Sequence, residues 1–347
     1  MADFRSDTMT MPTARMREAM ARAEVGDDVY REDPTINRLE EVGARFLGME
    51  AAVFVPSGSM ANQVAVHVHC RPGDEVICEE RCHVFLYEGG SVARWSGAQV
   101  WPLRASAGFP SPDQLEAAVR SEDDHHPRSR LLVIENTHNM AGGAVLGPDG
   151  MSDLVERAHG LQLRVHVDGA RLVNAAVAAG CDVPQVVAGA DSVSMCLSKG
   201  LGAPVGSLVA GSNEFAVEAR RVRKALGGGM RQAGILAAAG LIALEEGPQL
   251  VADDHRRAAE LAAALEPIAS MTVASPQSNM VMVDLPEHEP EQLVASLEKR
   301  GVRALQVGPR RIRFVTHRDV DDADVARCAE AARAWDREQA STNRTDK

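Results

Sequence analysis

An α/β fold is what this sequence predicts: a mostly parallel central sheet with helices on both faces, and a smaller α/β domain at the C-terminal end. Three observations predict it. Short apolar runs of strand length alternate with stretches of helical periodicity over roughly the first two hundred residues. After Asn213 that alternation gives way to three helical stretches and then a βαβα-like tail. The 347 residues, 45% of them hydrophobic, can bury the core of one large domain and a smaller one.

The elements follow in order. Asp33-Pro34 opens a helix, with Asp33 as cap, Pro34 at the first helical position and Gly48 at the close. Between them Ile36, Leu39, Val42 and Phe46 recur at helical spacing. The apolar run Ala51–Val55, the turn Pro56-Ser57-Gly58-Ser59 and the apolar stretch 61–68 read as strand, tight turn and helix. Segments 76–78 and 100–101 are short strands, and Ser111-Pro112 starts a helix running to about Arg120. A buried strand at 131–134, a helix at 151–159 and a strand at 165–167 that ends at Asp168 come next. Two further strands are expected at 192–197 and 205–210, then helices at 213–226, 232–246 and 249–265. The tail reads as strand 281–285, helix 291–299, strand 312–315 and helix 321–333, with a polar, frayed end at 341–347. This divides the chain into a large domain, 1–250, and a small C-terminal domain, 251–347.

Composition narrows the function. A net charge of −12 suits neither a nucleic-acid surface nor a broad phosphate-binding face, so no nucleic acid is expected as partner. The six cysteines form no CxxC pair and no zinc-ligand spacing, which points to reduced thiols in an intracellular protein. The charged N-terminus has no apolar signal core and no run approaches the ~18 apolar residues of a membrane span. A soluble cytoplasmic protein without a membrane partner is the expectation.

In an open parallel sheet ligands sit beyond the carboxyl ends of the strands, so chemistry is sought just after each strand. Ser57-Gly58-Ser59 follows a strand and opens a helix. Its free N–H groups and the helix dipole favour a phosphate, although such a turn is more often plain capping. Asp168 ends a buried apolar strand and needs a cation to stay ionised; a protonated pyridine nitrogen serves, and so does Arg171. Lys199, in Ser198-Lys199-Gly200-Leu201-Gly202, directly follows another apolar strand. A pocket there makes it a nucleophilic amine; the alternative is a structural lysine with a solvated head. In this order the three are the parts that hold pyridoxal 5'-phosphate at its phosphate, ring nitrogen and aldehyde. No GxGxxG turn follows the first strand, which argues against a dinucleotide fold.

At these residues the sequence resembles a known family, the low-specificity L-threonine aldolases, in the β-eliminating lyase group of aspartate-aminotransferase-like enzymes with PLP fold type I. The resemblance runs from Phe4 to about His317. It is carried by Arg5-Ser6-Asp7-Thr8, Gly26-Asp27-Asp28-Val29-Tyr30, Glu32-Asp33-Pro34-Thr35, Glu135-Asn136-Thr137-His138-Asn139, His166-Val167-Asp168-Gly169-Ala170-Arg171, Ser198-Lys199-Gly200-Leu201-Gly202-Ala203-Pro204 and Gly227-Gly228-Gly229-Met230-Arg231-Gln232. It implies retro-aldol cleavage of β-hydroxy-α-amino acids to glycine and an aldehyde. It implies that Lys199 matches the Schiff-base lysine and Asp168 the carboxylate on the ring nitrogen. Gly58 and Ser59 match the phosphate site, and Arg231 looks like the phosphate-site arginine of a neighbouring subunit. His83 matches the histidine that stacks on the cofactor ring. Ser6, Arg171 and Arg313 match the groups that hold the substrate carboxylate. A homo-oligomer, dimer or tetramer, with active sites at the subunit interface is also implied.

The sequence departs from the family in three places. A second histidine is expected near the substrate hydroxyl from the loop before the Glu135 strand, and here His125 and His126 compete for that role with His83. Position 59 is Ser where many relatives have Thr. Arg31 stands where Gly is commoner, which changes the rim expected of the pocket. The nearest alternative is another reaction on the same scaffold, such as β-elimination or racemisation. From a different class, a metal-dependent hydrolase would draw on His83, His138, His166 and Asp168, whose spacings match no ligand motif. His138, His166, His67 and His69 read as ordinary structural residues.

Overall fold

The computed structural model describes residues 1–345 and forms two compact units, one of residues 12–248 and the other of residues 1–11 with 249–347. The boundary near 250 lies where the composition changes, but the first eleven residues belong with the C-terminal unit and not with the large domain. The reason is a strand pairing: β1 (Ala2–Asp3) lies parallel to Val302–Arg303, and Phe4 is buried in the small unit's core.

The large unit begins with α1 (Ala14–Ala21) and α2 (Pro34–Leu47). Asp33 caps α2 through the N–H groups of Thr35 and Ile36, and Gly48 closes it at φ 68°. Strand β2 (Ala51–Val55) leads through Ser57 into α3 (Gly58–His69). Then come β3 (Glu75–Glu79), the short α4 (His83–Leu86), β4 (Gln99–Leu103), α5 (Pro112–Ala118) and β5 (Ser129–Glu135). They are followed by α6 (Pro148–Gly160), β6 (Arg164–Asp168), α7 (Leu172–Ala179), β7 (Ser192–Cys196), β8 (Ser207–Gly211) and α8 (Asn213–Ala225). The seven strands form one sheet in the order β2-β8-β7-β6-β5-β3-β4. The pairs among β4, β3, β5, β6 and β7 are parallel. Only β8 runs against its neighbours β7 and β2. Because β8 opposes both, β2 points the same way as the parallel set. Every residue of β3, β7 and β8 is buried, as expected for strands covered on both faces.

The expected helices at 232–246 and 249–265 form a single element, α9 (Gly234–Leu265), with Pro248 at the boundary between the units. Proline has no N–H for the helical ladder, which is why the sequence pattern breaks there. The small unit continues with β9 (Thr272–Val273), β10 (Met280–Asp284), α10 (Pro290–Lys299), β11 (Val302–Arg303), β12 (Leu305–Gly308), β13 (Arg311–Val315) and α11 (Asp322–Thr345). Four of its strands form an antiparallel sheet in the order β12-β13-β10-β9. Its core gathers Phe4, Leu261, Val281, Leu297, Phe314 and Trp335. The terminal stretch expected to fray is helical through Thr345, and its last two residues lie outside the described ones. All six cysteines are unpaired thiols. Among the described residues no single helix is long and apolar enough to cross a membrane.

Candidate active site

The carboxyl ends of β2, β3, β5, β6 and β7 lie on one edge of the large sheet, and the predicted cofactor residues stand there. At the end of β2, Ser57 caps α3 by accepting the Met60 N–H at 3.2 Å. Gly58 and Ser59 occupy the first turn, where N–H groups have no intrahelical acceptor. A Cβ on Gly58 would stand 2.6 Å from the Cys196 Sγ at the end of β7, so only glycine lets the helix start this close to the sheet. The result is a helix N-terminus with exposed backbone donors, suited to an anion.

Asp168 ends β6 and is 2% exposed. Its carboxylate accepts hydrogen bonds from the Asn62 amide at 2.8 Å and the Ala170 N–H at 3.2 Å. Both donors are neutral. Asn62 lies on α3, one turn after Gly58, and its two amide hydrogens go to two carboxylates, Asp168 and Glu88, each at 2.8 Å. Its oxygen takes the Ser194 hydroxyl at 2.8 Å and faces His166 Nε2 at 3.2 Å. His166 Nδ1 meets the Ser192 hydroxyl at 2.9 Å, and His69 Nε2 meets the same oxygen at 2.7 Å. Burial holds His166 down at about 4 and His69 at about 3, so both rings are neutral at physiological pH. A neutral His166 must then donate from Nε2 to Asn62 and accept at Nδ1.

His83 begins α4, just beyond β3. Its N–H donates to Glu135 Oε2 at the end of β5, and its Nδ1 lies 2.9 Å from Glu88 Oε1. The second oxygen of Glu135 accepts the Asn139 N–H at 2.8 Å. Burial alone would depress the His83 imidazole. The hydrogen bond to Glu88 and the charges of Asp168 and Glu88 outweigh burial and an opposing push from Lys199, leaving the pKa above the ordinary histidine value. Burial, reinforced by the Asp168 charge, pushes Glu135 upward. Three buried carboxyl groups, Asp168, Glu88 and Glu135, thus crowd one edge of the sheet. A protonated ring nitrogen placed beside Asp168 would supply positive charge where the fold concentrates negative charge. Together with the helix start at Gly58 and the amine of half-buried Lys199 beyond β7, these residues fit pyridoxal phosphate.

The other predicted residues are distributed as follows. Arg171, 7% exposed, precedes α7 and donates to Asn139 Oδ1 at 3.4 Å. Arg231 is half-exposed and pairs with Asp27 at 3.0 Å. In the small unit, Ser6 caps the turn at Asp7–Met9 through the Thr8 N–H, and Arg313 on β13 donates to the Arg5 carbonyl at 3.2 Å. His125 and His126 do not join His83 within the chain. They sit in the exposed loop that enters β5 from its amino end, the edge opposite Asp168, where His125 binds Asp123 and His126 faces Ser121. Of the four groups in the metal-hydrolase alternative, His83 and Asp168 gather with Glu88, their ligand atoms within 4.8 Å of one another, whereas His138 pairs with Glu79 at 2.9 Å. Arg31 adopts φ +63°, a left-handed backbone that glycine takes up without strain. Sequence reasoning missed Asn62, Glu88 and Glu135. The available signal was spacing: Asn62 falls four residues after Gly58 on one helix, and Glu88 five after His83.

Comparison with known proteins places the chain in context. Residues 3–288 match the model of the beta-eliminating lyase family. The chain is 43% identical to low-specificity L-threonine aldolase 1 of Arabidopsis thaliana over 93% of both chains. It is 41% identical to the low specificity L-threonine aldolase of Escherichia coli K12, over 96% of this chain and 99% of that one. Among solved structures it resembles a threonine aldolase of Leishmania major, with a TM-score of 0.85 at 21% identity, covering 97% of this chain and all of the other. Serine palmitoyltransferase of Sphingomonas wittichii shares the fold, with a TM-score of 0.77 at 16% identity, over 98% of this chain and 88% of that one.

Proposed function

Because the chain belongs to the beta-eliminating lyase family, among its low-specificity L-threonine aldolases, we propose that it cleaves L-threonine, L-allo-threonine and related β-hydroxy-α-amino acids, reversibly, to glycine and an aldehyde. The observation that carries this reading is the gathering of the α3 start, Asp168, Lys199 and His83 at one edge of the sheet. Pyridoxal phosphate bound there supplies an electrophilic carbon for the substrate amine and a π system that accepts the electrons of the breaking Cα–Cβ bond.

The chain's own residues do the rest. The Gly58 and Ser59 N–H groups hold the phosphate, and Arg231 serves the phosphate of a neighbouring copy in a dimer or tetramer. Asp168 would keep a proton on the ring nitrogen, and the Lys199 amine would anchor the cofactor. Arg171 grips the substrate carboxylate through charge-assisted hydrogen bonds and so fixes which bond at Cα is aligned to break. For Ser6 and Arg313, carboxylate binding is proposed on the resemblance. His83 takes the proton of the β-hydroxyl as the C–C bond breaks; its ring stands beside Asp168 and Glu88, whereas His125 and His126 are at the sheet's other end. An acidic chain with unpaired thiols goes with a cytoplasmic location.

The experiment is to mix the purified, cofactor-loaded protein with L-threonine, L-allo-threonine and phenylserine and to measure glycine and aldehyde. Glycine with acetaldehyde from threonine is the expected result; pyruvate or a racemised amino acid would replace this reading with another reaction on the scaffold. Lys199→Ala should abolish both turnover and the visible absorbance of the bound cofactor.

A further inference from the structure

Glu88 has a fully buried side chain, and the His83 ring lies against it at 2.9 Å. Its side chain accepts hydrogen bonds from Asn62 and His83 at one oxygen, 2.8 and 2.9 Å, and from Gln63 at the other, 2.6 Å. Asn62 and Gln63 are adjacent residues of α3, and His83 opens α4, so three groups from two elements fix the carboxylate. A carboxylate has no hydrogen to give, so the hydrogen shared with His83 must sit on the imidazole Nδ1.

We infer that Glu88 is the positioning residue of His83: it holds the ring in the Nδ1–H tautomer and turns Nε2 into the lone-pair nitrogen that receives the β-hydroxyl proton. The inference rests on the reading that His83 is the base. As the proton moves from the hydroxyl oxygen to Nε2, the imidazole becomes cationic while Nδ1 keeps its hydrogen, and the Glu88 carboxylate lies against the new charge. The other charged and titratable groups facing the ring are Asp168, Lys199, Glu135 at its N–H, and Tyr87, whose ring centroid lies 5.7 Å away. Glu88 bonds the imidazole itself, at Nδ1. Asn62 links the arrangement to the cofactor side, because the same amide nitrogen also donates to Asp168.

Glu88→Gln tests this with little change of shape. The oxygen facing His83 and Asn62 is kept, and the new amide faces Gln63, whose own Oε1 is a buried acceptor without a hydrogen bond and can receive it after an amide flip. The variant therefore removes the charge while the packing stays. In the holoenzyme, E88Q is expected to lower kcat by roughly 10- to 100-fold with KM changed by less than about threefold, and to move the acidic limb of the kcat/KM profile to lower pH. The visible absorbance of the bound cofactor should be retained. In a His83→Phe background the same substitution should cost less than about a factor of two, since Glu88 then has no base to position. A second readout needs no turnover: 15N spectra of histidine-labelled holoenzyme, with the His83 signal assigned by its loss in H83F, should show Nδ1–H in the wild type and a mixed tautomer in E88Q. An Nε2–H tautomer in the wild type, an unmoved pH limb in E88Q, or an equal loss in the H83F background would overturn the proposal. A wild-type protein that shows the Nδ1–H tautomer but yields no glycine from threonine would instead overturn the functional reading, and with it the base that Glu88 serves, while Glu88's hold on the His83 tautomer would stand.

Discussion

Asn62 and Asp168 show what single side chains do at this edge of the sheet. Asp168 is buried, and its neighbours Asn62 and Ala170 donate hydrogen bonds without charge. Asp168→Asn keeps the shape and removes the anion proposed to hold a proton on the ring nitrogen. Turnover should fall by roughly 100-fold or more, while circular dichroism remains unchanged; near-normal kcat in D168N would remove the aspartate from its assigned role. A second buried acid behaves differently. Asp254 in the small unit has no hydrogen-bond donor at either oxygen, and its nearest cation, Arg257, is 3.9 Å away. Burial pushes it up to about 8. Its folded value lies above the unfolded one near 3.9, so the native state keeps a proton that the unfolded chain has lost. Stability from this group is complete below pH ~4 and declines as pH rises through about 8. Asp254→Asn should therefore gain stability over the wild type on going from pH 5 to pH 9, read as a widening difference in denaturation midpoint. At this scale the sequence was partly legible. Lys199, Asp168 and Gly58 stood out because each lies at or just beyond the end of an apolar run. Glu88, Asn62 and Glu135 did not, since an acid or amide on a helix or strand acquires meaning only from what the fold sets opposite it.

At the scale of elements, helix α2 depends on one aspartate more than its sequence suggests. Asp33 Oδ1 accepts the N–H groups of Thr35 and Ile36, and Oδ2 accepts the N–H at the start of α9, on Gly234, at 2.9 Å. A single carboxylate thus caps two helices, and a side chain at Gly234 would collide with it at 2.4 Å. Asp33→Ala removes the α2 cap and orphans a buried donor, which should cost about 2–4 kcal/mol in chemical denaturation of the apoprotein; a loss under about 1 kcal/mol would show that water replaces the carboxylate. The α2 cap was readable from Asp33-Pro34, but the bond to Gly234 spans two hundred residues of sequence and left no local trace. Helix α1 escaped sequence reading because only Met16 of its eight residues is buried, and α7 because Leu172–Ala179 is apolar on nearly all sides and shows no stripe. The reversed direction of β8 was equally invisible, since an apolar run of five residues looks the same in either sense.

For the whole molecule, the line of neutral histidines behind the cofactor edge links folding to acidity. His69 and His166 are held near 3 and near 4 by burial, well below the ordinary value of about 6.5 in an unfolded chain. Between pH ~6.5 and ~4 the unfolded state binds protons at both that the native state refuses. Their contribution is therefore intact above pH ~6.5 and shrinks as the solution is acidified through that window. Hydrogen exchange of peptides from β6 and β7 should accelerate between pH 7 and pH 5, after correction for intrinsic rates, and His69→Gln should blunt the effect. The architecture of alternating strands and helices was legible because burial on both faces leaves continuous apolar runs. The allegiance of the N-terminus was not, since a two-residue strand carries no periodicity.

That N-terminal strand also bears on how the protein is made. Ala2 finds its partner only when Val302 exists, so the opening residues leave the ribosome long before the structure that will receive them. The large unit, an unbroken stretch from Pro12 to Pro248, is complete in the nascent chain well before then and can fold first, with a loose leader ahead of it. A bulky group attached just ahead of Ala2 would burden the late pairing of that strand with Val302–Arg303 and spare the earlier folding of the large unit.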